Sequence, residues 1–154
     1  MLIEYKTLDF GDVALLQELN FLFGEAFEDP ERYHHSPPNK LYLENLLKKD
    51  NFICLVALEN GKVLGGLVAY VLEKFEMEQK EIYIYDLAVA ELYRRKGIAR
   101  NLILELKRIA SDKNAYVIYV QADYGDDPAI KLYESLGIRE EVLHFDIAVD
   151  QKNQ

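Results

Sequence analysis

Between Ile82 and Lys107 an apolar strand runs through a short polar turn into an amphipathic helix. Four cations, Arg94, Arg95, Lys96 and Arg100, crowd that turn around Gly97, and Ile98 and Ala99 open the helix. A helix that starts behind a glycine presents unpaired backbone N–H groups and the positive end of its dipole. Flanking arginines add charge-assisted hydrogen bonds to oxyanions. The chemistry that suits this pattern is the seating of a pyrophosphate; the alternative is a solvated run of charge. The second residue to stand out is Asp86, a carboxylate inside the apolar strand Glu81–Val89. Burial penalises such a group unless it has a role or a partner. It is read either as a proton acceptor or as a carboxylate hydrogen-bonded to a neighbouring loop.

From Gln121 to Asp150 there are eight acids against two bases, Lys131 and Arg139. An acidic cleft concentrates and orients a polycationic ligand, and Asp123, Asp127, Glu140, Glu141 and Asp146 are the candidates to line it. The net charge of −9, from 27 acids and 18 bases, argues against nonspecific nucleic-acid binding and against docking on anionic lipid. The single cysteine, Cys54, sits in the apolar run FICLVAL and reads as a small core residue. His34 and His35 are adjacent in a proline-rich segment without metal-ligand spacing, so a surface pair is expected and no metal site. Neither a signal peptide nor an apolar run of membrane-spanning length is present, and a cytoplasmic protein is expected.

These groups need a scaffold. Leu2–Leu8 reads as a first strand, and apolar residues at Val13, Leu16, Leu19, Phe23 and Phe27 recur at helical spacing. Glu28–Asn39, with three prolines, is expected to be a loop suited to closing over a substrate. Leu41–Leu47 is a second helix. Phe52–Leu58 and Lys62–Leu72 form a hairpin through Asn60-Gly61. The strand Glu81–Val89 and the helix Ile98–Ala110 follow, then a strand at Tyr116–Ala122. A further helix is expected from about Pro128, with Asp127 as its N-cap and Gly137 closing it. Glu141–Val149 is expected to be the last strand, with residues 150–154 as a frayed tail. The whole is read as one domain.

Arg94-Arg95-Lys96-Gly97-Ile98-Ala99 fits the R-x-x-G-x-A pattern of the GCN5-related N-acetyltransferases, and Ala129-Ile130-Lys131-Leu132-Tyr133-Glu134-Ser135-Leu136-Gly137-Ile138 resembles their A-x-x-L-Y-x-x-x-G-[FI] signature. The runs Glu81–Val89, Ala115–Ala129 and Gly137–Glu141, continued by His144-Phe145-Asp146-Ile147, resemble the gentamicin-type aminoglycoside 3-N-acetyltransferases. The resemblance implies an α/β (α+β) fold with a central, mostly antiparallel mixed sheet, splayed middle strands near Val89 and Tyr116, and helices on both faces. It implies acetyl-CoA as co-substrate, held by Leu87, Ala88, Val89, the loop Arg94 to Arg100, Asp126 and Tyr133. Tyr133 is then the proton donor to the departing thiolate, and a homodimer is implied. The chain departs from some relatives at Gln121, twelve residues before Tyr133, where they place a glutamate base. Asp86 is therefore the first nominee for the base, with Asp123 and Asp127 behind it. The expected reaction is direct acetyl transfer to the 3-amino group of a 2-deoxystreptamine drug. Two alternatives stay open: another amine acceptor, or an acyl-CoA sensor without catalysis.

Overall fold

Alternation of apolar residues builds five strands: β1 (Glu4–Thr7), β2 (Phe52–Glu59), β3 (Lys62–Glu73), β4 (Lys80–Val89) and β5 (Ala115–Val120). In the computed structural model, which describes residues 2–152, they form one sheet in the order β1-β2-β3-β4-β5. The first three pairings are antiparallel and β4 pairs with β5 in parallel, so the mixed, mostly antiparallel sheet expected from the sequence is present. The helices are α1 (Val13–Ala26), α2 (Pro30–Tyr33), α3 (Lys40–Leu47), α4 (Ile98–Asp112) and α5 (Asp127–Leu136). The chain divides into two compact units, Met1–Gln121 and Ala122–Gln154.

In the larger unit the period of two along β2 sorts its side chains between two layers. Cys54, Val56 and Leu58 join Leu16, Leu19 and Phe23 of α1 and Leu43 and Leu47 of α3 in one buried cluster. Ile53, Leu55 and Ala57, also buried, alternate to the other face. There α4, which contacts β2 through β5, buries Ile98, Leu102, Leu106 and Ala110. Burial pushes the Cys54 thiol well above its usual range, which leaves it an inert core group, as its setting in the sequence suggests. At Gly66 a side-chain carbon would meet Leu55 O at 2.6 Å and the Leu19 side chain at 2.7 Å. Only hydrogen at that position lets α1 lie this close to the sheet.

Two irregularities position the chemistry. Between β3 and β4 the register steps from Val68↔Asp86 to Ala69↔Ile84, so Tyr85 is the extra residue of a β-bulge immediately before Asp86. On its other side β4 pairs with β5 only as far as Ile84↔Val120. Tyr85–Val89 therefore has no strand neighbour on that side among the described residues, which is the opening expected near Val89.

Three expectations are corrected. The segment read as a plain loop contains α2, because Asp29 accepts from the Arg32 amide and Pro30 supplies a preset φ at the helix start. Asp127 is the first residue of α5, not its cap; Asp126 precedes it without a side-chain capping bond, and Gly137 ends the helix in extended backbone at φ −150. The strand expected at Glu141–Val149 does not form: from Ile138 to Lys152 no described residue belongs to a helix or strand. Alternation alone does not make a strand, which is assigned by its backbone partners. Asn153 and Gln154, the end of the expected tail, lie outside the described residues.

Candidate active site

The basic loop is built from backbone before side chains. After β4, the Ala90 amide donates to Leu64 O at 2.8 Å and a 3-10 turn runs Glu91–Tyr93. Arg94 Nε then donates to Val89 O at 2.9 Å, tying the turn to the strand end. Arg95 and Gly97 both take left-handed backbone, φ 62 and φ 79. For Gly97 that conformation is free of the Cβ penalty. For Arg95 it is a strained one, of the kind kept at ligand clamps. Gly97 is the residue from which α4 starts, and nothing lies within 4 Å of where its Cβ would stand. The amides of Ile98 and Ala99 have no acceptor in a preceding helical turn. Arg94, Arg95, Lys96 and Arg100 are exposed around them, with the Lys96 ammonium 6.0 Å from the Tyr93 ring centre.

Asp86 lies beyond the bulge, half-buried. Tyr33 of α2 donates its hydroxyl to Asp86 Oδ2 at 2.6 Å. Burial raises the Asp86 pKa above the ordinary carboxylate value, against the Tyr33 hydrogen bond and the Arg32 charge, which lower it. Burial, followed by donation to Asp86, pushes the Tyr33 phenol well up, so it stays a donor at neutral pH. The partner loop left open by the sequence is thus α2, and its seat on α1 is well defined. The His34 ring stacks on Phe21 with centroids 4.2 Å apart, and its Nε2 donates to Phe21 O at 2.9 Å. A side chain at Gly24 would collide with that ring, 2.2 Å from Nε2. Tyr33 itself packs against Phe23 and Phe27. Phe52, Tyr70, Tyr85 and Tyr83 form a row of ring contacts at 5.6, 5.9 and 6.4 Å, and the Asp86 charge acts on both Tyr70 and Tyr83.

In the smaller unit Tyr133 is half-buried on α5. Burial, with Asp126 adding, raises its pKa to about 12, so the phenol is protonated at neutral pH. Asp123, Asp126, Asp127 and Glu140 are exposed. Glu141 is paired with Arg139 at 2.6 Å, and Asp146 with His144 at 2.9 Å. Among the described residues no cluster of His, Cys, Asp and Glu has the makings of a metal site, and no helix is long and apolar enough to cross a membrane.

The Acetyltransferase (GNAT) family model matches residues 14–138. The chain belongs to this family. Among solved structures, an aminoglycoside acetyltransferase, HMB0005, from an uncultured soil metagenomic sample is 53% identical, with TM-score 0.95 over 97% of this chain and 100% of that one. A second, meta-AAC0020 from an uncultured soil metagenomic sample, was crystallised with sisomicin; it is 34% identical with TM-score 0.89 over 96% and 97%. An N-alpha-acetyltransferase of Saccharolobus solfataricus is 31% identical over 121 residues, 71% of this chain and 67% of that protein.

As a GNAT acetyltransferase the protein uses acetyl-CoA, and the larger unit fits it. The room over Gly97, the uncapped first turn of α4 and the exposed cations suit the pyrophosphate. The unpaired side of β4 leaves backbone groups of Tyr85–Val89 for an extended arm. Asp86, Leu87, Ala88, Val89 and the loop Arg94–Arg100 are thus contiguous, whereas Asp123, Asp126, Asp127, Tyr133, Glu140, Glu141 and Asp146 belong to the smaller unit. Tyr33 and the aromatic row escaped sequence reasoning. Asp29-Pro30 is a helix-start signal that marks α2, but nothing local joins Tyr33 to a residue 53 positions away.

One consequence is testable here. Tyr33→Phe removes the bond that lowers the Asp86 pKa, so that pKa rises further. With Asp86 as the base, the acid limb of the kcat/KM profile should move to higher pH, so the variant's loss of rate should grow as pH falls. An unmoved limb in pH-dependent steady-state kinetics would show that this carboxylate does not govern the rate.

Proposed function

We propose that the protein transfers the acetyl group of acetyl-CoA directly to the 3-amino group of a 2-deoxystreptamine aminoglycoside of the gentamicin and sisomicin type. The observation that carries this reading is the 53% identity to an aminoglycoside acetyltransferase along almost the whole chain, supported by the sisomicin complex of a more distant relative. Acetyl-CoA supplies the thioester: the amine nitrogen forms a bond to its carbonyl carbon as the carbon–sulfur bond breaks. Arg94 to Arg100 and the main chain of Leu87–Val89 hold the donor in place. Asp86 takes the proton that the acceptor's ammonium must lose, directly or through one water. Its raised pKa brings it closer to the basicity that work requires. Tyr133, protonated at neutral pH, is the proposed donor to the departing sulfur, whose thiol pKa near 8.5 makes this help and not necessity.

Asp123, Asp127, Glu140, Glu141 and Asp146 are assigned to the acceptor's remaining ammonium groups, and Asp126 to the cofactor. The aromatic row beside Asp86 offers flat apolar faces to the sugar rings. Acetylation removes one positive charge and one donor that such a drug uses on its RNA target, so the cellular outcome is resistance, in the cytoplasm and without a metal. A second reading, acetylation of a protein N-terminus, is favoured by the archaeal relative; Gln121, where some such enzymes place a glutamate, weighs against it. Steady-state turnover with gentamicin, sisomicin, a polyamine and N-terminal peptides decides between them. The aminoglycosides should lead in kcat/KM, and preference for a peptide would replace this reading with the second.

A further inference from the structure

Tyr33 and its neighbour His34 reach into different elements. The phenol donates to Asp86 on β4 at 2.6 Å, while the imidazole is fastened to α1. The ring lies on Phe21 with centroids 4.2 Å apart and planes 10° from parallel. Its Nε2 is 2.9 Å from Phe21 O; a carbonyl can only accept, so Nε2 carries the hydrogen. The ring fits because residue 24 is glycine. A Cβ there would stand 2.2 Å from Nε2, 2.6 Å from Cδ2 and 2.9 Å from Cε1, well inside contact distance. A glycine inside a helix costs stability, and here the notch it leaves holds the imidazole.

The four residues of α2 are too few to persist as a helix by themselves. The segment is tied to α1 at both ends: the Asp29 amide donates to Gly24 O at 3.0 Å, and His34 makes the second tie to Phe21 O. Tyr33 stands beside that second tie. Hydrogen bonds weaken steeply when distance and angle drift, so the hold of the phenol on Asp86 depends on where the end of α2 is kept. The groups that face Asp86 are Tyr33 and Arg32 of α2, with Tyr70 of β3 and Tyr83 of β4 also within its field.

We propose that His34, seated over Gly24, is a positioning residue for Asp86: it fixes the end of α2 so that the Tyr33 hydroxyl stays on the carboxylate. The assignment of Asp86 as the base rests on the function proposed above; the positioning concerns Tyr33 and Asp86 alone. Releasing the ring lets the phenol leave, and with it goes a bond that favours the ionised carboxylate. The effect therefore has the sign of Tyr33→Phe and cannot exceed it. Gly24→Ala should release the ring without removing any group of the network. A cavity of about 140 Å³ beside it, whose lining includes Asn20, Phe21, Tyr33, His34 and Leu43, gives a displaced imidazole room to move.

The test uses the full chain with carbon-13 in its aspartate carboxyls, the Asp86 resonance being the one that disappears in Asp86→Asn. Its titration midpoint should move up in His34→Ala and in Gly24→Ala, by no more than in Tyr33→Phe. Added to Tyr33→Phe, neither change should move it further, as coupling through one bond requires. The acid limb of kcat/KM should follow the midpoint, and retained CoA affinity identifies the variants that have kept the fold. In the wild-type protein, nitrogen-15 spectra at neutral pH should show His34 protonated at Nε2. A midpoint unmoved in both single variants, a full additional shift on top of Tyr33→Phe, or a His34 ring protonated at Nδ1 alone would each overturn the proposal. The nitrogen measurement decides even if the variants fail to fold. A midpoint that moves while the acid limb stays still upholds the positioning and removes Asp86 as the base.

Discussion

Asp86→Asn should lower kcat by roughly 10²- to 10⁴-fold, the usual worth of a positioned general base, while acetyl-CoA affinity stays near the wild-type value. The asparagine keeps the shape of the side chain and an oxygen to accept from Tyr33, so folding is preserved and only basicity is lost. The pH dependence gives the sign. A base acts in its ionised form, and burial lifts the Asp86 pKa above the ordinary carboxylate value. Wild-type kcat/KM should therefore fall as pH drops through that raised pKa, and the Asn variant should lack this limb. Tyr33→Phe moves the same limb upward, so the two variants together separate loss of the base from loss of its positioning. Unchanged kcat in Asp86→Asn would return the role to Asp123 or Asp127.

The second large effect is at Gly97. Gly97→Glu should weaken CoA binding by at least about a hundredfold, or about 2.7 kcal/mol. Two causes act together. The residue is at φ 79, where a side chain costs about 1–3 kcal/mol, and the new carboxylate occupies the open space beside the α4 N-terminus and repels phosphate. Gly97→Ala carries the conformational cost without the charge and should lose less. Calorimetry with CoA measures both, and unaltered affinity in Gly97→Glu would remove the pyrophosphate from this loop.

The sequence made legible what is encoded locally. The strands β2 to β4 and the helix α4 lie within a few residues of where periodicity puts them, and the cations around Gly97 point to the loop without any long-range information. Asp86 was visible as a charge out of place. Its partner was not, because Tyr33 reaches it across 53 residues through a four-residue helix held by His34 on Phe21. His34 looked like half of a surface pair, and only the packing over Gly24 shows what its ring does. The extra residue at Tyr85 is invisible in a run of alternating apolar residues, since a bulge is defined by its partner strand. The final strand failed for the related reason that a sequence pattern specifies a face and not a neighbour. Its alternation is real, yet among the described residues it belongs to no strand.

The central claim is the position acetylated. Sisomicin incubated with acetyl-CoA and the purified protein should gain a single acetyl group by mass. Two-dimensional NMR of the product should place the new amide on the nitrogen at position 3 of the deoxystreptamine ring. An acetyl group on any other nitrogen, or no product from sisomicin or gentamicin, would contradict the account.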